Sequence, residues 1–306
     1  MSSLTIYSPS GAVNDLPALR RAEKRLTQLG FAVQLDEAVR LRSQRFAGSD
    51  EQRLAALHRV ADSGCQVALA ARGGYGLTRL LDGIDWARIA ASVQRGTRWV
   101  GQSDLTALQL GLMAHAKGAG PTWAGPLACA DFGAAEMDEV TEGCFLEAVH
   151  GELEAIGFRE QGAARGTQPH HGLHVSGRLW GGNLTVLLSL LGTPHFPKVR
   201  GGILFLEDVG EHPYRIERML LQLHQAGVLS AQKAVLIGEF SAYRRTPHDR
   251  GYDLKDALAA LRQRCGVPIL RGLPHGHGVT KVCLPVGAMA ELAVEGRDVL
   301  LAWGHA

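Results

Sequence analysis

The segment Arg98-Trp-Val-Gly-Gln-Ser-Asp-Leu-Thr-Ala107 decides the fold class, because a short apolar stretch passes through one glycine into a helical pattern. Arg98-Trp-Val100 is typical of a buried strand, and residues 104–116 are typical of a helix. A strand that leads at once into a helix is the repeating unit of parallel sheets covered by helices. Ligands bind beyond the carboxyl ends of such strands. Ser103 is therefore predicted to lie at the functional edge of a sheet.

The first 150 residues repeat this alternation of strand and helix. Strands are predicted at residues 4–7, 31–35 and 65–70, and helices at residues 16–29 and 49–64. Ser49 and Gln52 have the spacing of a capping box, which marks the start of the second helix. We therefore expect an N-terminal α/β domain with a parallel sheet over residues 1–150.

A change of composition follows, because residues 151–174 lose their periodicity and gather Gly, Gln, Pro and His. This stretch is interpreted as a linker. Beyond it, strands are predicted at residues 175–179, 203–206, 234–237 and 267–270, with helices at residues 214–225 and 254–264. The sequence thus predicts a second domain of mixed β/α structure over residues 175–306.

Composition excludes several classes of protein. The chain has 38 glycines in 306 residues, about 12% against an average of about 7%, and 46% hydrophobic residues, so it can form a core. A net charge of +2 gives no reason to expect nucleic acid or an anionic membrane as partner. There is no signal-peptide pattern and no apolar run of membrane-spanning length. Its five cysteines lack a C-x-x-C pair, so we expect a cytoplasmic protein with free thiols.

Ser103 is the candidate nucleophile. A serine between a strand and a helix projects its hydroxyl beyond the sheet, and the backbone N–H of the next residue, Asp104, can stabilise an oxyanion. The α/β-hydrolase pattern G-x-S-x-G is incomplete, because Leu105 replaces its second glycine. The alternative interpretation is that Ser103 only caps the helix.

A serine nucleophile needs a base and an acid that orients the base. Glu207 ends four apolar residues, where a carboxylate needs a partner, although an arginine would serve equally well. Strand alternation sends Asp208 to the opposite face. His277, between Gly276 and Gly278, is the candidate base, and His275 is its competitor.

Two further groups of residues are candidates for an oxyanion donor and for a metal site. Arg72-Gly-Gly-Tyr-Gly76 follows a strand, where the backbone N–H of Gly74 could form the second oxyanion donor; the alternative is an ordinary glycine-rich turn. His170, His171 and His174 lie close together in sequence, but no metal-binding motif accompanies them, so no metal is expected.

Short motifs over nearly the whole chain resemble the LD-carboxypeptidases, the muramoyltetrapeptide carboxypeptidase family of serine peptidases. In chain order, the matching stretches are Ser8-Pro-Ser-Gly11, Arg72-Gly-Gly-Tyr-Gly76, Gly101-Gln-Ser-Asp-Leu-Thr-Ala107, Gly125-Pro-Leu127, Gly181-Gly-Asn-Leu184, Phe205-Leu-Glu-Asp208 and Gly276-His277. Each is short, but their joint occurrence in this order is specific. Two positions depart from the family pattern: Gln102 replaces a common aromatic residue, and His275 a common phenylalanine.

The resemblance implies a Ser103–Glu207–His277 triad in a cleft between the two domains, with Gly74 and Asp104 as oxyanion donors. It implies a metal-independent, cytoplasmic and often dimeric enzyme without a cofactor. The substrate it implies is the murein tetrapeptide L-Ala-D-Glu-meso-diaminopimelate-D-Ala, which would lose its terminal D-Ala in peptidoglycan recycling.

Substrate contacts are less defined. A carboxypeptidase must bind a free carboxylate, for which Arg72, Arg178 and Lys281 are candidates. Asn183 could bind the substrate backbone or only pack at a helix start. Three alternatives for the whole protein remain open: an immunity peptidase that cleaves peptidyl-nucleotide antibiotics, a non-enzymatic α/β ligand-binding protein, and a generic α/β-hydrolase esterase.

Overall fold

A computed structural model describes residues 1–162 and 168–305. Within these ranges the strands form a six-stranded and a seven-stranded sheet, each flanked by helices. The protein therefore has a two-domain α/β fold with mixed sheets, as the sequence predicted.

The N-terminal half alternates strands and helices as expected. Its elements are β1 (Ser2–Tyr7), α1 (Leu16–Gln28), β2 (Phe31–Leu35), α2 (Asp50–Asp62), β3 (Val67–Ala70), α3 (Trp86–Gln94), β4 (Arg98–Gly101), α4 (Thr106–His115), β5 (Thr122–Ala124) and α5 (Glu139–His150). The capping box at the start of α2 is confirmed, because Ser49 and Gln52 each accept the other's backbone N–H.

The C-terminal half is richer in strands. Its elements are β6 (Ala155–Arg159), β7 (His174–Asn183), α6 (Leu184–Leu190), β8 (Ile203–Val209), α7 (Pro213–Gln225), β9 (Ala234–Ser241), α8 (Leu254–Arg264), β10 (Ile269–Arg271), β11 (Leu284–Val286), β12 (Met289–Glu295) and β13 (Asp298–Ala302). The helix predicted over residues 254–264 is confirmed at both ends.

The first sheet has the strand order β11-β5-β4-β3-β1-β2. Its five N-terminal strands are parallel, whereas β11 comes from the C-terminal half and runs antiparallel to β5. The chain therefore returns to the first sheet near its end, which the predicted division into residues 1–150 and 175–306 did not anticipate.

The second sheet has the order β10-β9-β8-β7-β12-β13-β6. Strands β7 to β10 are parallel, and β12, β13 and β6 add an antiparallel half. The predicted linker was partly wrong, because β6 lies within residues 151–174 and pairs with β13. Residues 163–167 of that stretch lie outside the described residues.

Two of the predicted site residues lie at or near the carboxyl ends of parallel strands. β4 ends at Gly101, two residues before Ser103, and β8 carries Glu207 near its end. No helix within residues 1–162 and 168–305 is long and apolar enough to cross a membrane.

Candidate active site

Ser103 occupies a strained turn between β4 and α4. Its φ is +63°, a region that residues other than glycine rarely adopt. It lies inside a short 3₁₀ segment, Ser103–Leu105, whose N-cap residue is Gln102, whereas Leu105 is the N-cap of α4. Ser103 therefore caps neither helix segment, and the interpretation of it as a mere helix cap is wrong. Backbone strain held by the surrounding fold is common at functional positions.

The glycine loop after β3 packs directly against this serine. A Cβ atom on Gly73 would lie 2.7 Å from both Cβ and Oγ of Ser103, and 3.6 Å from the backbone nitrogen of Asp104. Gly74 has a φ of +106°, which favours glycine. The loop can thus approach the hydroxyl only because residue 73 lacks a side chain.

A buried arginine holds this loop in place. Nη1 of Arg53, whose side chain is fully buried, donates to the carbonyl oxygens of Pro9 (3.0 Å) and Gly76 (2.9 Å). Sequence reasoning did not single out Arg53, because its position on α2 looks like that of any surface-helix arginine.

Glu207 and His277 form a buried pair. Nδ1–H of His277 donates to Oε2 of Glu207 at 2.7 Å, and the glutamate side chain is 1% exposed. Burial favours the neutral ring, but the hydrogen bond and the charge of Glu207 outweigh it, and the pKa of His277 is raised above the ordinary 6.5. Because Nδ1 is occupied, Nε2 is the ring atom free to accept a proton.

His275 is held apart from this pair. Its Nδ1–H donates to the carbonyl oxygen of Val282 at 3.0 Å, and its ring packs edge-on against Phe205. Burial lowers the pKa of His275, so the ring is neutral at neutral pH. The structure therefore separates the roles of the two histidines that the sequence left in competition.

Asp208 and Asn183 serve the structure around α6. Asn183 donates from Nδ2 to Oδ1 of Asp208 at 2.9 Å, and its Oδ1 accepts the N–H of Val186 as the cap of α6. Asp208 also accepts from the backbone and hydroxyl of Thr185. Of the two roles considered for Asn183, the structure shows packing at a helix start.

Contacts link the segment that carries Ser103 to the strands of the second sheet. The N–H of Asn183 donates to Oγ1 of Thr106 at 3.0 Å, which joins the end of β7 to the start of α4. Asn183 lies opposite Glu207 in the sheet register. His277 and Gln102, the residue before Ser103, line one cavity of about 360 Å³. Among the described residues no hydrogen bond joins Ser103 Oγ to the His277 ring.

A second cavity lies next to Asp104. Asp104, the residue after Ser103, lines a cavity of about 570 Å³ together with Tyr75 and Thr185. The carboxylate of Asp104 accepts the N–H of Leu77 at 2.8 Å, and burial raises the pKa of Asp104. The residues on either side of Ser103 in sequence therefore each line a cavity.

The three candidate cations occupy different places. Nζ of Lys281 forms a buried ion pair with Oδ1 of Asp131 at 2.6 Å, beside the His277 loop. Arg72 lies next to the glycine loop, and its Nη1 donates to the carbonyl oxygen of Ala12 at 2.9 Å. Arg178 lies five residues before Asn183 on β7, about 16 Å away at strand spacing. Arg178 is thus remote from the end of β7 that lies beside Glu207.

The three histidines that are close in sequence, His170, His171 and His174, have separate environments in the structure. His170 binds Glu160 at 2.6 Å, His171 accepts the N–H of Gly296, and His174 lies on β7. No group of three or more His, Cys, Asp or Glu residues in the described ranges could hold a metal ion. That the protein works without a metal remains a prediction.

Comparisons with known proteins agree with this architecture. A family model for the LD-carboxypeptidase N-terminal domain matches residues 4–123, and one for the LD-carboxypeptidase C-terminal domain matches residues 176–292. The chain is 32% identical to the murein tetrapeptide carboxypeptidase of Pseudomonas aeruginosa over 94% of this chain and 92% of that protein. It is 37% identical to the crystal structure of a muramoyltetrapeptide carboxypeptidase from Oxalobacter formigenes, with a TM-score of 0.88 and 99% of each chain covered.

A more distant relative is the microcin C7 self-immunity protein MccF of Escherichia coli. It is 25% identical over 131 residues, which cover 41% of this chain and 36% of that protein. The wild-type structure of MccF matches at a TM-score of 0.85 with 20% identity, over 99% of this chain and 96% of that chain, a likeness of fold alone.

The architecture and the matches together define the class of protein as carboxypeptidases. Within that class, the chain belongs to the LD-carboxypeptidase family.

Proposed function

We propose that the protein is a serine carboxypeptidase that releases the terminal D-Ala from the murein tetrapeptide L-Ala-D-Glu-meso-diaminopimelate-D-Ala. The observation that carries the proposal is the buried Glu207–His277 pair, whose histidine lines one cavity with the residue before a strained serine. The substrate is proposed because relatives of this chain include a probable murein peptide carboxypeptidase of Bacillus subtilis and a murein tetrapeptide carboxypeptidase of Pseudomonas aeruginosa. We further propose that the active site is the cleft between the two domains.

The reaction begins with the transfer of the Ser103 hydroxyl proton to Nε2 of His277. The serine oxygen attacks the carbonyl carbon of the diaminopimelate residue, and a tetrahedral oxyanion forms. His277 then donates its proton to the nitrogen of the departing D-Ala as the C–N bond breaks. Water, deprotonated by the same histidine, hydrolyses the acyl-serine and releases the tripeptide.

The backbone N–H groups of Gly74 and Asp104 stabilise the oxyanion in this scheme. The close approach of Gly73 to Ser103 supports it, because that contact brings the glycine loop and the Asp104 nitrogen to the same side chain. Each such donor is worth about 3 kcal/mol of transition-state stabilisation.

Recognition of the free carboxylate is assigned to Arg72 among the candidate cations. Its guanidinium lies beside the glycine loop, whereas Lys281 is neutralised by Asp131 and Arg178 is remote. Asn183 contributes by holding α6 and the end of β8 rather than by binding substrate. An Arg72→Met variant should raise KM for the tetrapeptide more than it lowers kcat.

The deciding experiment is incubation of the purified chain with murein tetrapeptide and measurement of free D-Ala. A matched peptide that ends in L-Ala serves as the stereochemical control. Release from the D-Ala peptide alone supports the proposal, and no release from either peptide contradicts it.

MccF, which shares the fold, motivates a second candidate. MccF is a self-immunity protein against microcin C7, so the alternative is a serine peptidase that cleaves a peptidyl nucleotide. An aspartyl sulfamoyl adenosine arm in the same assay distinguishes the two. Cleavage of that compound without release of D-Ala would favour the immunity function. Binding of either compound without cleavage would favour the non-enzymatic alternative.

We also propose a cytoplasmic homodimer, on the strength of the family resemblance and of free thiols at all five cysteines, which are within the described ranges. Sedimentation equilibrium tests the dimer, and fractionation of the producing cells tests the location.

A further inference from the structure

A cavity of about 580 Å³ lies away from the candidate active site. It is lined by the second half of α4 and the turn after it, by β7 at Arg178, by residues 194–199 and by the end of β11. Thr122 marks the amino end of β5, and Ser103 follows the carboxyl end of the neighbouring strand β4. The cavity is therefore at the opposite edge of the first sheet from the nucleophile.

The charges around this cavity are of one sign. Lys117, Arg178 and Lys198 are among its lining residues, which include no carboxylate within the described part of the chain. Arg178 is oriented by a hydrogen bond from Nη1 to the carbonyl oxygen of Gly287. A concave surface with cations and no compensating acid attracts anions.

Two residues that line the cavity carry buried oxygen atoms without a hydrogen-bond partner in the described part of the chain. Gln109 and Thr122 both line it and are each 1% exposed. Oε1 of Gln109 and Oγ1 of Thr122 have no hydrogen-bond partner among the described residues. Buried polar atoms in proteins are nearly always hydrogen-bonded, so two unpartnered oxygens beside the cavity are unusual and leave hydrogen-bonding capacity there.

The remaining walls are apolar. Leu112, Met113, Phe196 and Val286 line the cavity between the cations. Its volume lies within the range of about 300–1,000 Å³ that is usual for small-molecule sites. Apolar walls with a few polar groups are also typical of such sites.

We propose that this cavity is a second binding site, for a small organic anion with an apolar body, and that it is separate from the catalytic centre. The anionic group lies among Lys117, Arg178 and Lys198, and the apolar body packs against Phe196 and Met113. This assigns a role to Arg178, which the proposed peptidase reaction does not use.

The probe for the test is 8-anilinonaphthalene-1-sulfonate, whose fluorescence rises in an apolar site. N-phenyl-1-naphthylamine has a similar ring system without the sulfonate and is the matched neutral probe. The full chain is titrated as wild type, as Lys117→Gln/Lys198→Gln, and as Lys24→Gln/Lys255→Gln. The last pair removes the same charge from exposed lysines on α1 and α8, outside the cavity.

The proposal expects saturable binding of one sulfonate probe per chain, weakened about tenfold or more by the cavity double variant and unchanged by the control. An Ala114→Trp substitution, which fills the cavity, should abolish binding, whereas Ser103→Ala should leave it intact. Equal weakening by both double variants, no saturable binding, or displacement of the probe by murein tetrapeptide would each overturn it. The proposal would also be overturned if the cavity double variant weakened binding of the neutral probe as much as binding of the sulfonate probe.

Discussion

Nδ1 of His277 lies 2.7 Å from Oε2 of Glu207, and this hydrogen bond joins the loop after β10 to the end of β8. The carboxylate fixes the ring tautomer, with the proton on Nδ1, and raises the pKa of His277. Because the folded-state pKa exceeds the unfolded value, the pair stabilises the fold most fully below the ordinary pKa of 6.5. That contribution is lost as the pH rises through the folded-state pKa.

The first prediction concerns Glu207→Gln. The acid limb of the pH profile of kcat/KM should lie above pH 6.5 in the wild type, because the base must be neutral to accept a proton. Removing the charge should shift that limb to lower pH. It should also lower kcat by about 10⁴-fold, the cost known for the equivalent change in a serine triad.

The control is a second buried pair, in which Glu160 binds His170 at 2.6 Å. A Glu160→Gln substitution removes a similar carboxylate at a distance from Ser103, so it should affect stability without moving the pH profile. If both substitutions left the acid limb in place, Glu207 would not be the partner of the base.

The second prediction concerns Gly73→Ala. The new methyl group would lie 2.7 Å from Oγ and Cβ of Ser103, so the serine must move, and turnover should fall by more than about 100-fold. Gly143→Ala is the control, because a methyl group there meets nothing within 4 Å on α5. It should raise stability by up to about 1 kcal/mol and leave turnover unchanged. Full activity in Gly73→Ala would contradict the close packing of this loop on the nucleophile.

The third prediction concerns His275→Phe. His275 carries an unpartnered Nε2 in a buried position and donates only to Val282, so phenylalanine removes one buried polar atom and one hydrogen bond. These effects oppose each other, and the free energy of unfolding should change by less than about 2 kcal/mol. D-Ala release should stay within a few-fold of wild type. Inactivation of a folded His275→Phe protein would instead make His275 part of the catalytic machinery.

The fourth prediction concerns the buried pair of Lys281 and Asp131. Lys281→Met leaves the Asp131 carboxylate without its cation, which should cost about 3–5 kcal/mol in urea unfolding. Asp131→Asn in the same chain should restore part of that loss, because the buried charge is then gone. A change below about 1 kcal/mol for Lys281→Met would show that the ion pair does not hold the His277 loop.

The sequence predicted the parts of the fold that depend on local pattern. Residues 31–35 and 254–264 have the predicted bounds, because alternation and helical spacing are unambiguous there. β11 was missed since three residues containing a proline carry little strand signal, and only pairing with β5 makes them a strand. β6 was missed for a similar reason, because it depends on β13 as partner.

The candidate site also contains residues that local sequence predicts and residues that it does not. Ser103 stands out by its place between a strand and a helix, and His277 by its two glycine neighbours. The role of Asp131, in contrast, depends on a contact with Lys281 across 150 positions of sequence. Arg178 was a reasonable candidate on charge alone, but strand geometry places it far from Asn183. Contacts between residues distant in sequence leave no local pattern to find.

The proposed peptidase reaction depends most directly on Ser103 as the nucleophile. The decisive measurement is the rate of D-Ala release from murein tetrapeptide by Ser103→Ala, beside wild type and Ser176→Ala, an exposed serine on β7. We predict a loss of about 10⁶-fold for Ser103→Ala, the scale seen when a triad serine is removed, with Ser176→Ala unchanged. Release by a folded Ser103→Ala protein within tenfold of the wild-type rate would contradict it.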